Sequence, residues 1–250
     1  MAQLTNKIAI ITGAGSGFGE GIAHAYVAEG AKVVLADINA ERVRQVVATL
    51  GAAASPFTCD VSKGDQIRAL VDHCVATFGI PDIVVNNAGT THRNGPLTEV
   101  DEATFDRVFA VNVKSIYHMA QAVVPLMRKR GSGVILNIGS TAGPRPRPGL
   151  VWYAGTKGAV NTISKGMALE LAPDKIRVNA ICPVMGETGL FGDFMGVPDT
   201  PENRAKFLAS IPLGRFSQPR DIANAAVFLA SDASDFLTGM EFMVDGGRTA

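Results

Sequence analysis

Short apolar runs alternate with longer amphipathic ones along the whole chain, and this alternation limits the fold more than any motif does. Seven runs have strand length and strand composition: Lys7–Thr12, Lys32–Ala36, Ser55–Cys59, Asp82–Val85, Val134–Ile138, Ile176–Ile181 and Met240–Val244. Between them lie helix-like stretches at Phe18–Gly30, Ala40–Leu50, Ser62–Phe78, Asp101–Arg130, Leu150–Leu171 and Pro219–Ser231. Strands that are apolar throughout have both faces buried, so they belong to a parallel sheet with helices on each side. The expected fold is a doubly wound α/β Rossmann fold of about seven parallel strands in a single domain. The chain of 250 residues is long enough for one such domain, and no linker or repeat divides it. Ser62 is the expected N-cap of its helix. The irregular stretch 184–212, rich in Gly and Pro, follows a strand, where a lid over the site is expected.

Composition excludes several functions. Lys plus Arg equals Asp plus Glu at 23 each, so the chain carries no basic footprint for nucleic acid or for an anionic membrane. The three cysteines, Cys59, Cys74 and Cys182, are scattered and form no metal-ligand spacing, so no metal site is expected. The N-terminal stretch shows no signal-peptide pattern, and no apolar run approaches the ~20 residues of a membrane helix. A cytoplasmic protein is the expectation.

The turn after the first strand reads Thr12-Gly13-Ala14-Gly15-Ser16-Gly17-Phe18-Gly19. Glycines there let backbone N–H groups approach a pyrophosphate, and the helix that follows aims its positive end at it. The spacing is G-x-x-x-G-x-G rather than the strict G-x-G-x-x-G. Candidate cofactor contacts are Gly13, Ser16, Gly17, Phe18 and Gly19. Asp37 ends the second strand, where a carboxylate accepts hydrogen bonds from ribose hydroxyls and repels a 2′-phosphate. Ile38 follows it with no basic residue, so NAD is favoured over NADP. Asp60 and Val61 close the third strand and could clasp the adenine, although Asp60 could equally cap the next helix. Asn87, Ala88 and Gly89 end the fourth strand, where small residues let the chain pass close to a ribose.

Tyr153 and Lys157 stand at i and i+4 of one helix and share a face. A free tyrosine titrates near ~10 and is a weak acid–base group at neutral pH. A nearby ammonium is expected to lower that pKa. Ser140, past the end of the fifth strand, could hold a carbonyl or alcohol oxygen beside the phenol. Asn112 lies mid-helix among apolar neighbours. It could hold a water leading from Lys157 to solvent, or simply satisfy buried backbone groups.

These residues together resemble the classical short-chain dehydrogenases/reductases. The resemblance rests on the Gly-rich turn, Asn86-Asn87-Ala88-Gly89, Asn112, Ser140, Tyr153-Ala154-Gly155-Thr156-Lys157 and Val244-Asp245-Gly246-Gly247, and spans nearly the whole chain. It implies a tetrad of Asn112, Ser140, Tyr153 and Lys157, a nicotinamide cofactor and a homotetramer. In that scheme Tyr153 moves the alcohol proton while hydride passes to or from the nicotinamide, and both Tyr153 and Lys157 contact the cofactor. The family pattern also implies cofactor contacts at Pro183, Gly186 and Thr188. Two positions depart from it: Val184 replaces a usual Gly, and Phe18 replaces a usual Ile, where only the backbone is expected to matter.

The same likeness places three segments around substrate. One holds Arg145 and Arg147, the second is Thr90-Thr91-His92-Arg93, and the third is the lid. Arginine forks bind carboxylate, phosphate or sulfonate in bidentate fashion. Candidate substrate residues are therefore Ser140, Arg93, Arg145, Arg147 and Phe191, for a small polar or anionic alcohol or ketone. An extended Pro-Arg-Pro-Arg-Pro run points alternate side chains apart, so one of its two arginines should face the pocket. Two alternatives stand beside this function. One is a ketoreductase like the 3-oxoacyl carrier-protein reductases, against whose usual NADPH Asp37 argues. The other is a nucleotide-binding regulatory protein without chemistry, against which the complete tetrad argues.

Overall fold

The structure, a computed structural model, describes residues 2–250. The seven strands are β1 (Ile8–Thr12), β2 (Lys32–Asp37), β3 (Ala54–Thr58), β4 (Ile83–Asn86), β5 (Gly133–Ile138), β6 (Ile176–Pro183) and β7 (Glu241–Val244). They form one sheet in the order β3-β2-β1-β4-β5-β6-β7, and every pair is parallel. The helices are α1 (Gly17–Ala28), α2 (Ala40–Leu50), α3 (Gly64–Thr77), α4 (Glu102–Phe109), α5 (Ser115–Arg130), α6 (Val151–Leu171), α7 (Phe191–Met195), α8 (Pro201–Leu208) and α9 (Pro219–Ala230). The doubly wound expectation holds.

Alternation along the strands divides the core in two. Ala9, Ile11, Val33, Leu35, Ile83 and Val85 face one way and pack with Ile22, Tyr26, Ile222 and Ala226 of α1 and α9. Ile10, Val34, Ala36, Val84 and Ile135 face the other way and meet Ile67, Leu70, Met119, Val123 and Met127 of α3 and α5. Burying each large side chain contributes about 1.5–3 kcal/mol, so both sheet faces are strongly anchored. Tyr26 brings a polar tip into the first layer, and its hydroxyl donates to the Ala226 carbonyl at 3.1 Å.

The chain winds from β1 toward β3 on one side and from β4 toward β7 on the other. The reversal falls between β1 and β4, and a crevice opens past their carboxyl ends. A buried polar chain ties the second half together there. Asn86 donates to Asn137 at 2.8 Å, and Asn137 donates to Ser164 of α6 at 2.9 Å.

Two element expectations need correction. Ser62 does not cap α3, which begins at Gly64; the Asp60 carboxylate accepts the Ser62 N–H at 2.9 Å and holds the approach to the helix. The single helix expected over Asp101–Arg130 is broken in hydrogen bonding by a π turn at Ala110–Lys114. Asn112 sits in that turn. A π turn inserts one residue into the helical ladder and marks functional sites in many helices. Among the described residues no helix is long and apolar enough to cross a membrane.

Candidate active site

The turn between β1 and α1 is built for close approach. Gly13 has φ of 63°, and a Cβ there would lie 2.7 Å from the Ala88 Cα, so no side chain fits. Asn87 locks the turn from β4: its amide donates to the Thr12 and Gly13 carbonyls at 2.9 and 3.0 Å. The Thr12 hydroxyl accepts the N–H groups of Asn87 and Ala88, each at 3.1 Å. Ser16 stands at the N-cap of α1 without bonding the helix through its side chain. The first-turn N–H groups are thus left for an anion, which fits a dinucleotide pyrophosphate.

Asp37, Ile38, Asp60, Val61, Ala88 and Gly89 line one cleft, as expected. The Asp37 carboxylate accepts the Gly15 N–H and the Asn39 N–H, each at 2.9 Å. It is therefore fixed at the mouth of the cleft. A Cβ on Gly15 would come within 2.9 Å of that carboxylate, a requirement the sequence alone did not reveal. Arg107 also lines the cleft and donates to the Thr90 hydroxyl at 2.6 Å.

A second cavity opens on the same sheet edge. Ser140, Tyr153, Lys157, Pro183, Gly186 and Thr188 line it together with Asn87 and Gly89. Tyr153 is 8% exposed, and Lys157 is 5% exposed. Burial pushes the Tyr153 phenol up to about 12, against the Ser140 hydrogen bond and the Arg147 charge, which pull it down. Burial also pulls the Lys157 ammonium down to about 8. The expectation that Lys157 lowers the phenol's pKa is not met by the protein's own groups. The lysine Nζ lies 5.8 Å from the centre of the Tyr153 ring and donates to the Ile138 carbonyl at 2.7 Å.

Asn112 meets the second of its two expected uses, satisfying buried groups. Its side chain accepts the Thr90 N–H at 2.8 Å and donates to the Thr90 carbonyl and to the Thr156 hydroxyl, each at 2.9 Å. Both amide donors are committed, so the side chain braces the Thr90 backbone and the Thr156 hydroxyl. Thr156 in turn donates to the Tyr153 carbonyl at 2.7 Å, so the brace reaches the helix turn that carries Tyr153.

The substrate candidates separate. Arg147 lines the cavity, donates to the Phe194 carbonyl at 3.1 Å and stacks 4.9 Å over the Phe207 ring. Arg145 is exposed, does not line the cavity and donates to the Arg248 carbonyl. Thus one arginine of the pair faces inward. Arg93 is exposed and lies outside the cavity. Phe191 also lies outside it: its ring packs edge-on against Phe216 at 5.0 Å, with the Arg204 guanidinium 4.8 Å away. Phe194 takes the expected place, its ring 5.0 Å from that of Tyr153. Short α7 turns one aromatic into the cavity and the other into a small core with Val184, Met195, Ile211 and Phe216.

Both departures from the family pattern have packing reasons. Val184 is buried among Phe191, Met195, Ile211 and Phe216, and its carbonyl accepts the Ser217 hydroxyl at 3.1 Å. The Phe18 ring reaches the same cavity, and a Cβ on Gly186 would lie 2.5 Å from its tip, so more than its backbone matters. His92, buried beside the site, accepts the Tyr153 N–H at 3.5 Å. The cavity-lining Arg248 carries no local sequence signal, because it reaches the site through tertiary folding alone.

The chain is similar to known proteins over nearly its whole length. A family model described as enoyl-(acyl carrier protein) reductase matches residues 13–249. The 4-formylbenzenesulfonate dehydrogenase of Comamonas testosteroni is 51% identical over 98% of this chain and 99% of its own. A 2-(S)-hydroxypropyl-CoM dehydrogenase of Xanthobacter autotrophicus is 40% identical over 99% of this chain and 98% of its own. A crystal structure of 3-ketoacyl-(acyl-carrier-protein) reductase from Brucella melitensis, complexed with NADH, superposes with a TM-score of 0.94 at 43% identity. It covers 99% of this chain and 100% of that one. Fold and relatives define a nicotinamide-dependent oxidoreductase acting between alcohols and carbonyls. The chain belongs to the short-chain dehydrogenase/reductase family.

Proposed function

We propose that this protein is a single catalytic domain, lidded by residues 184–212, that uses NAD to interconvert an alcohol and a carbonyl with Tyr153 as acid and base. The observation that carries this is the convergence of Ser140, Tyr153, Lys157, Gly186 and Thr188 on one cavity beside the glycine turn. A bound nicotinamide supplies or takes up the hydride. Ser140 holds the reacting oxygen, and Tyr153 gives it a proton in reduction or removes one in oxidation. Lys157 keeps an ammonium beside the ring at neutral pH and would hold the cofactor ribose. Asn112 acts as a positioning residue through Thr156 and Thr90.

Asp37 supports NAD: its carboxylate is fixed where a 2′-phosphate would meet like charge. A relative named for a formyl-bearing sulfonate supports a small anionic substrate. Exposed apolar side chains on α5 and α6, Tyr117 at 58% and Leu169 at 81%, support a homotetramer. A second reading, a 3-oxoacyl carrier-protein ketoreductase, is favoured by the named function of the superposed structure. The two are separated by initial rates over a diverse alcohol and carbonyl panel, each with NAD(H) and with NADP(H). The proposal requires turnover of small carbonyls with NADH. Turnover confined to NADPH and acyl thioesters would favour the second reading.

A further inference from the structure

Arg147 and Arg248 line the same cavity as Tyr153, and neither forms an ion pair among the described residues. The Arg248 charge reaches Arg147. Burial, then the Arg248 charge, lowers the basicity of Arg147. Burial and the Arg145 charge lower that of Arg248, against the pull of Asp245. The Arg248 Nη1 is fully buried and has no hydrogen-bond partner. Among the described residues it is the only buried side-chain polar atom so placed. A buried guanidinium N–H without an acceptor is costly, and native structures leave few such groups unexplained.

The surrounding chain holds this arrangement in place. The Asp245 carboxylate accepts the N–H groups of Gly247 and Thr249 at 3.0 and 2.8 Å and the Thr249 hydroxyl at 2.6 Å. Asp245 thus fixes the turn that carries Arg248. Arg145 donates to the Arg248 carbonyl and ties the C-terminal turn to the Pro-rich loop. Arg147 is seated on the Phe207 ring and bonded to α7. The result is two guanidinium groups without an ion pair in a cavity whose lining also holds Phe194, Phe207 and Leu150 and the hydroxyls of Thr141 and Ser210. The adenosine cleft at Asp37 shares only Gly89 and Thr90 with this cavity, so these cations lie on the substrate side.

We propose that Arg147 and Arg248 form a clamp for a sulfonate or carboxylate on the substrate. The substrates are then small alcohols or carbonyl compounds with an apolar middle and a terminal oxyanion. The reacting oxygen lies at Ser140 and Tyr153, and the oxyanion lies against the two guanidinium groups that line the cavity. Planar guanidinium forks match both oxyanions in bidentate geometry, so charge and shape select together. This inference rests on the alcohol–carbonyl function proposed above.

The test compares NADH-dependent reduction of 4-formylbenzenesulfonate, 4-formylbenzoate and neutral 4-methylbenzaldehyde. Wild type is expected to favour at least one anionic aldehyde by about 100-fold in kcat/KM, on the scale of charge-assisted hydrogen bonds. Arg248→Met is expected to cut that anionic-to-neutral ratio by about 10- to 100-fold, chiefly through KM. Arg248→Lys should recover part of it, because charge returns without the fork. The ratio of sulfonate to carboxylate turnover tells which oxyanion the clamp fits better. Calorimetric titration of the enzyme–NAD complex with benzenesulfonate and with benzoate reads the clamp without turnover. Binding by wild type that Arg248→Met weakens supports the clamp, even if no carbonyl is reduced and the proposed function fails. Equal losses on neutral and anionic aldehydes, or no binding of either anion, would overturn it, even if neutral carbonyls are reduced.

Discussion

The two ends of the active-site crevice are made differently. At the cofactor end, each key residue ends a strand or begins a helix, and its partner is backbone of the next element. Asn87 locks Thr12 and Gly13, and Asp37 locks Gly15 and Asn39. At the substrate end, Arg147 comes from a loop, Phe194 from a short lid helix and Arg248 from the last residues of the chain. The first end is rigid because the sheet fixes it. The second is assembled from segments far apart in sequence. Its side chains, not its backbone, set what fits.

The sharpest contrast within the second end is between two neighbouring aromatics. Phe191→Ala should cost about 3–5 kcal/mol of unfolding free energy, read by denaturant melting, because it empties the lid's own core. Phe194→Ala should cost less stability but raise KM for the carbonyl. If Phe191→Ala changed substrate preference with stability intact, the division of the lid would be wrong.

Lys157 offers the next largest effect. Its pKa in the folded chain is about 8, below that of an unfolded lysine near ~10.4. Between those values the unfolded chain holds a proton that the folded chain has lost. Stability should therefore rise with pH across that window, by up to about 3 kcal/mol. Tyr153 acts in the opposite sense above pH ~10, where the folded chain retains the proton up to about 12. Lys157→Met should abolish the rise between pH 8 and 10 in melts of the protein without ligand. A rise of unchanged size would mean that the ammonium is not desolvated.

At the cofactor end, Asp37→Ser should shift the ratio of kcat/KM for NADPH over NADH upward by about 100-fold, by removing a like-charge contact. An unchanged ratio would move the discriminating group elsewhere, with Arg107 the next residue in the cleft. The smallest effect is expected at Arg93, a basic residue placed near the site by sequence and outside it by structure. Arg93→Ala should change kcat/KM by less than about twofold, as surface substitutions do.

The same contrast explains what could be read from sequence. Strand periodicity placed the sheet, and the residues at its carboxyl edge followed because strand ends converge in this topology. Tyr153 and Lys157 were legible because one helix turn relates them. Arg147 was distinguishable from Arg145 only as one of a pair, since an extended run gives alternation but not direction. Arg248 was invisible, because nothing local links the C-terminal turn to the loop after β5. The π turn at Asn112 was hidden for a related reason: helical periodicity continues across one inserted residue. The Lys157 expectation failed on solvation. Spacing brought the ammonium near the ring but could not show that burial would govern both groups.

The most direct test of the account is Tyr153→Phe, compared with wild type for NADH affinity by fluorescence titration and for carbonyl reduction under saturating NADH. The account predicts NADH binding within about threefold of wild type, with kcat/KM lower by about 1000-fold or more, on the scale of a lost general acid. A variant that retained a tenth or more of wild-type turnover would contradict it.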